Sequence, residues 1–305
     1  MLPVLYLAIA LDLTLGEPPL WIHPVVWSGK ISERLIIPYK GRAYGVFLWS
    51  LSVLPILFLL SLIFFIPYDA VKLILAVVFL KTSFSIKMLY ELVKRSAPVT
   101  EESRKYTQQL VRRNVYELDE GHVISAAIES LFESLVDGIT APLFWFLIFG
   151  FPGALLQRLA NTMDSMVGYK TQELKDEGWF SATVDTVLNF IPARLTALFM
   201  IVSAFLLGIR VNGVLRAIKE SRIESPNARY PITTAAVLLG VRLEKPGYYS
   251  VGNGELPKER DLIRALSLFR VTLILYLFCI SVVYYYLYGL SLFSYPYGLI
   301  ELVKR

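Results

Sequence analysis

Residues 43–66, AYGVFLWSLSVLPILFLLSLIFFI, contain no charged side chain. A helix that crosses a bilayer needs about 20 mostly apolar residues, and this stretch supplies them. Pro55 inside it predicts a kink, because proline removes one helical hydrogen bond. A second charge-free run extends from Val271 to Ile300, and its tyrosines at 284–286 and 288 suit a membrane–water interface. Charged residues make up only 18% of the 305-residue chain, against about 25% in soluble domains, so lipid is the expected solvent. The net charge of +5 then reflects basic loops facing anionic lipid on the cytoplasmic side, and no nucleic-acid partner is expected. The single cysteine, Cys279, lies in an apolar run, which excludes a disulfide framework or a cysteine metal site within the chain. The apolar N-terminus MLPVLYLAIALDLTLG lacks a basic leader and a small-residue cleavage site, and is expected to be a retained membrane segment.

The predicted architecture is all-α: a polytopic integral membrane protein with amphipathic or re-entrant helices and cytoplasmic-side loops, forming one membrane-embedded domain over residues 1–305. Apolar segments are expected at about 1–15, 43–66, 71–93, 138–157, 187–209 and 266–300. Polar site elements fall at 12–42, 96–137, 158–186 and 210–264. Lys72, Lys81, Lys87 and Glu91 interrupt 71–93. A lysine at a helix centre costs roughly 2.5–3.5 kcal/mol on insertion scales, so Lys81 must face protein or water, or snorkel. The short link at 67–69 makes 43–66 and 71–93 a hairpin. Its far side carries Lys40, Arg42, Lys94, Arg95, Arg104, Lys105, Arg112 and Arg113, which reads as cytoplasmic. The segments 138–157 and 187–209 contain proline and glycine; either both span or both re-enter. Broken backbone at membrane depth is tolerated only where protein or a cavity surrounds it.

Three polar constellations stand out. In HVISAAIESLFESLVD (122–137), Ile124, Ile128, Leu131 and Leu135 form an apolar stripe, while Glu129, Glu133 and Asp137 line the opposite face at i, i+4, i+8. Like charges in a row repel, so the row is either simply solvated or a site for a hard divalent ion such as Mg²⁺. In NTMDSMVGYK (161–170), Asn161, Asp164, Ser165 and Gly168 share a helical face, with Arg158 a turn earlier and Lys170 following. Gly168 would admit close approach of a backbone or ligand. Asp185, Asn189 and Arg194 follow on the next segment. Interhelical polar glue is one reading; a functional site is the other. Finally, 12–30 offers Asp12, Glu17, His23 and Lys30, and the turn-rich stretch 225–254 offers Asn227, Tyr248 and Gly252. His122 reads as a surface helix start. No phosphate-binding Gly-Lys-Ser/Thr loop, dinucleotide fingerprint or H-E-x-x-H is present.

In order along the chain, HPVVWSGKI, IESLFESLVDGITAPLFW, NTMDSMVGYK, LNFIPARLTAL and SPNARYP resemble the cobalamin biosynthesis family CobD/CbiB, the adenosylcobinamide-phosphate synthases, from about residue 8 to 255. The resemblance implies a multi-pass enzyme of the cell membrane with its active site facing the cytoplasm. It implies ATP-driven amide formation between adenosylcobyric acid, a corrinoid, and (R)-1-amino-2-propanol or its O-phosphate. Where family members often show R-D-T, this chain has Arg113-Asn114-Val115. On this reading Glu129, Glu133 and Asp164 are assigned to Mg²⁺–ATP. Lys30, Arg113, Lys170 and Arg194 are assigned to phosphate or substrate carboxylate, with Asn161, Asn189 and Asn227 as further polar contacts. Asp185 or His23 accepts the amine's proton. Trp21, Trp27, Trp179, Tyr248 and Tyr249 are candidate walls for a corrinoid. A homo-oligomer or a complex with other pathway enzymes is compatible with this assignment. The rivals are a membrane phosphotransferase, whose D-G-x-x-A-R pattern is absent, and a transporter or sensor without chemistry, for which no inverted repeat is visible.

Overall fold

The computed structural model describes residues 1–168 and 173–290. The described chain is helical apart from one two-stranded antiparallel hairpin. Among the described residues, five helical segments are long and apolar enough to cross a bilayer: Arg42–Phe65, Asp69–Arg95, Glu120–Val167, Glu177–Leu206 and Glu259–Tyr288. The all-α membrane architecture expected from the hydrophobic runs is therefore what the chain adopts. The N-terminal helix α1 (Leu2–Leu15) is apolar but reaches only about 21 Å at 1.5 Å per residue.

Two compact units share the chain. The first comprises Met1–Ile86, Asp137–Asn189 and Ile280–Arg305; the second comprises Lys87–Val136 and Phe190–Cys279.

In the first unit, α1 packs against α4 (Asp69–Lys81), while α2 (Pro24–Leu35) packs against α3 (Arg42–Ser61) and α8 (Ala141–Val167). Leu5, Ala8, Leu80, Phe146 and Leu159 are among its fully enclosed side chains. Pro55 sits inside α3, as expected. The apolar stretch 138–157 is not one straight rod. Residues Val136–Thr140 form a single π-helical turn, and α8 breaks at Gly150, whose φ of 65° and ψ of −152° lie outside helical space. Glycine takes that conformation without a Cβ clash, and Pro152 two residues on lacks the N–H to continue the ladder. The start of α3 meets the start of α9 (Glu177–Leu206). The buried Glu177 carboxylate accepts from the backbone N–H groups of Lys40 and Gly41, two orphan donors of a helix N-terminus. A Cβ at Gly45 would come within 2.2 Å of the Glu177 carbonyl oxygen, so only glycine permits this approach.

The second unit is built around α7 (Glu120–Leu135), which packs against α6 (Arg104–Leu110), α11 (Arg229–Leu239) and strand β1 (Leu243–Lys245). Strand β2 (Tyr249–Val251) pairs with β1 through a turn in which Gly247 has φ 78°. Asp119 caps α7, accepting the His122 N–H at 2.9 Å and meeting its ring Nδ1 at 2.8 Å, so His122 is a helix-start residue. Of the two readings of the carboxylate row, simple solvation does not hold for Glu129. Every residue from Val123 to Phe132 is buried, Glu129 included, and Glu133 is exposed. The neighbouring helices and the hairpin cover α7, so Glu129 must find partners in protein rather than water.

Candidate functional site

Each unit carries its own polar clusters, and both were assembled from residues distant in sequence. In the first unit, Lys81 at the end of α4 is enclosed, 1% exposed. Its Nζ lies 3.0 Å from Asp12 Oδ1 and 2.6 Å from Glu17 Oε2. The lysine that the insertion cost forced off the lipid face thus pairs with two acids of the N-terminal segment. Asp12 Oδ2 also accepts the Ile86 N–H at 3.1 Å. Glu17 accepts from Ser85 Oγ and lies 3.5 Å from His23 Nε2. Burial alone raises the Glu17 carboxyl, but the His23, Lys81 and Ser85 contacts outweigh it and hold the group at about 2. The other ring nitrogen of His23, Nδ1, is buried without a hydrogen-bond partner among the described residues.

A second cluster joins α8 to α9. Asp185 Oδ1 accepts from Asn189 Nδ2 at 2.9 Å and Asn161 Nδ2 at 3.1 Å. Gln157 Nε2 donates to Asn189 Oδ1 at 2.9 Å and to the Asp137 carbonyl at 3.3 Å. Arg158 packs over Gly138 and feels the charges of Glu17 and Asp137. The spacing therefore correctly brought Asn161, Asp185 and Asn189 together, with Arg158 nearby. Gly168, expected to admit close approach of a backbone or a ligand, meets the start of α9: a Cβ on Gly178 would fall 3.2 Å from the Gly168 Cα. Gly168 caps α8 by donating to the Asp164 carbonyl at 2.7 Å, and a Cβ there would fall 1.9 Å from Asp164 Oδ1. Ser165 is exposed on the same last turn. Lys170 lies outside the described residues. Lys30 is exposed on α2.

In the second unit, Glu129 is held on both oxygens. Oε1 accepts from Ser125 Oγ at 2.7 Å and from Arg113 at 3.2 Å, and Oε2 accepts from the Tyr249 hydroxyl at 2.7 Å. Ser125 Oγ also accepts the Glu244 N–H at 2.8 Å, tying β1 to α7. Burial, reinforced by the Glu129 charge, pushes the Tyr249 phenol far above its usual range, so it remains a donor. Tyr249 is thus a partner of Glu129 rather than a bare aromatic wall. The loop presenting Arg113 is fixed from behind. Gln108 donates to the Val111 and Arg113 carbonyls and accepts the Val115 N–H, and Arg104 donates to the Val115 and Leu118 carbonyls. Within that loop Asn114 donates to Glu117 and accepts the Tyr116 N–H, a turn-forming role. Arg113 Nε and one of its terminal nitrogens are buried without hydrogen-bond partners among the described residues. On α9, the Arg194 guanidinium lies 3.4 Å from the Phe190 ring centre and 4.3 Å from that of Tyr230, and donates to Asn227 Oδ1 at 3.3 Å.

No group of three or more His, Cys, Asp or Glu side chains is placed to hold a metal ion among the described residues. The set Glu129, Glu133 and Asp164 is accordingly not assembled as a three-carboxylate cage. Glu129 is committed to Arg113, Ser125 and Tyr249, whereas Glu133, one turn on, is solvent-accessible. That donor set fits an ion such as Mg²⁺ only where substrate phosphates and water supply most ligands, its usual habit. Of the aromatic candidates, Trp21 and Tyr248 are largely exposed. Trp27 donates to the Trp21 carbonyl at 2.8 Å and meets Phe79 edge-on, and Trp179 lies beneath Arg42.

The fold and these enclosed charge clusters define an all-helical membrane protein with charged groups paired in its interior. A family model described as CobD/Cbib protein matches residues 5–272. Curated relatives carry the name "Probable cobalamin biosynthesis protein CobD". That of Pyrococcus furiosus is 40% identical over 92% of this chain and 97% of its own. That of Thermococcus kodakarensis is 43% identical over 86% and 89%. That of Methanothermobacter thermautotrophicus is 39% identical over 90% and 94%. No solved structure matches. The chain belongs to the CobD/CbiB family, and its role lies in cobalamin biosynthesis.

Proposed function

We propose that the protein joins a carboxylate of adenosylcobyric acid to the amine of (R)-1-amino-2-propanol or its O-phosphate, driven by ATP. The family match across residues 5–272 carries this reading, and the chemistry of the clusters supports it. A carboxylate is a poor acyl donor because its charge is delocalised. Attack of its oxygen on the terminal phosphorus of ATP forms a P–O bond and releases ADP. The amine nitrogen then attacks the acyl carbon, the C–O bond to phosphate breaks, and phosphate leaves. This sequence calls for cations on phosphoryl oxygens, a base for one amine proton, and shelter from water.

Arg113 and Arg194 suit the first task. Both guanidiniums are held in place by their neighbours, and Arg113 keeps donors to spare. Lys30 and Lys170 are further candidates. Bound Mg²⁺ would neutralise phosphate charge, with Glu133 its nearest open carboxylate and Glu129 orienting Arg113. His23 suits the base through Nδ1, which is buried without a hydrogen-bond partner among the described residues. Asp185 is the second choice, because amide donors already engage it. Within the first unit, the turn before α9 lies beside Lys40 and Arg42, on the basic side expected to face the cytoplasm.

ADP release should require corrinoid and amine together. Release with neither, or binding of corrinoid without turnover, would favour the transporter or sensor reading; transfer of a phospho-group to a lipid alcohol would favour the phosphotransferase. Ser165→Cys should react with an impermeant maleimide only from the cytoplasmic side, and external labelling would contradict the proposed orientation.

A further inference from the structure

A recess of about 390 Å³ lies at the start of α9 in the first unit, with Arg42, Lys175, Trp179, Ala182, Thr186 and Val187 among its lining residues. That volume is within the roughly 300–1,000 Å³ of ligand pockets. Its mouth is cationic. Arg42 is pinned there, 3.2 Å from Asp176 and 5.1 Å from the Trp179 ring centre, and Lys175 makes no ion pair among the described residues. Its wall is one ridge of α9, since 179, 182, 186 and 187 follow helical spacing. Trp179 and Val187 remain 43% and 63% exposed. Two candidate spans, Arg42–Phe65 and Glu177–Leu206, begin at this mouth. Cations at the end of a span, a tryptophan beside them, and an apolar track leading along the span form an amphipathic gradient.

We infer that this recess holds an anionic phospholipid, its headgroup phosphate on Arg42 and Lys175 and its chain along the α9 ridge. A soluble phosphate ester would use the cations but not the exposed apolar track. The inference is independent of the amide-forming reaction. The full-length protein is equilibrated in micelles with equimolar phosphatidylglycerol and phosphatidylcholine of identical chains, and bound lipid is counted by native mass spectrometry. The expected result is preferential retention of phosphatidylglycerol. Lys175→Gln should reduce that preference about fivefold, one charge's worth near a membrane surface. Ala182→Trp, which fills the recess from within, should reduce retention of both lipids while the protein elutes as a folded species. Equal retention of the two lipids, or retention unchanged by Ala182→Trp, overturns the inference. Displacement by millimolar glycerol phosphate overturns it too, and makes the recess a site for soluble phosphate esters.

Discussion

Lys81 and Arg113 are both cations held by glutamate, yet their surroundings differ. Lys81 is shut in with two carboxylates, Asp12 itself fully enclosed, and nothing in the cluster faces outward except part of Glu17. Arg113 has one carboxylate, already shared with a serine and a tyrosine, and retains buried donors without partners beside an exposed Glu133. A closed ion network fastens segments: α4 to the N-terminal region. A partly open one leaves donors for a further partner. On the proposed function the first is scaffold and the second carries chemistry, and substitutions at each can break that assignment.

The largest effect is expected for Lys81→Met, which leaves Asp12 and Glu17 facing each other without a counter-charge. Thermal unfolding in detergent should show a loss of about 3–5 kcal/mol. Adding Asp12→Asn and Glu17→Gln should restore much of it; no recovery would mean the lysine acts otherwise than as their partner. Next comes pH. The folded Glu17 carboxyl is depressed to about 2 from its ordinary value of 4.5. A depressed acid stabilises above its unfolded value and loses that contribution as pH falls towards the folded one. The stability gap between wild type and Glu17→Gln should therefore be full above about pH 5 and shrink between about 4.5 and 2. A gap independent of pH would remove the ion network as its cause.

On the open side, Glu129→Gln keeps its neighbours' shape but strips Arg113 of its counter-charge. A loss of about 2 kcal/mol is expected, smaller than at Lys81, together with a fall in amide formation of about 100-fold or more. Tyr249→Phe removes one hydroxyl and should cost about 1 kcal/mol. In a double-mutant cycle with Glu129→Gln the two should be non-additive. Additive losses would break the claimed contact.

Much of the fold was legible because lipid imposes a simple rule. The run at 43–66 became α3 and its terminal turn, and Lys81 was marked by insertion cost alone. What pattern could not give was the partner, since Asp12 lies far away in the chain. The same limit applied to α7. Helical spacing placed Glu129 and Glu133 on one face, but not the cover from α6, α11 and the hairpin that buries Glu129. The hairpin itself was hidden in LEKPGYYSV, where glycine and proline read as loop. The Asn161–Asp185–Asn189 cluster was legible because all three sit at helical spacing on two successive helices. Gly168 was legible as a point of close approach, but pattern could not say what approaches; it is the backbone at Gly178 and the Asp164 side chain of its own helix.

The central claim is that the open Arg113–Glu129 cluster serves amide formation and the closed Lys81 cluster serves the fold. Mass spectrometry of the corrinoid after incubation with ATP, Mg²⁺ and aminopropanol or its phosphate tests it most directly. Wild type should yield corrinoid heavier by the amine minus one water, with one ADP released per amide. Folded Glu129→Gln should yield about a hundredth as much or less, while the Lys81→Met, Asp12→Asn, Glu17→Gln triple variant, once folded, retains turnover. Corrinoid of unchanged mass with wild type, or full turnover in Glu129→Gln, would contradict the account.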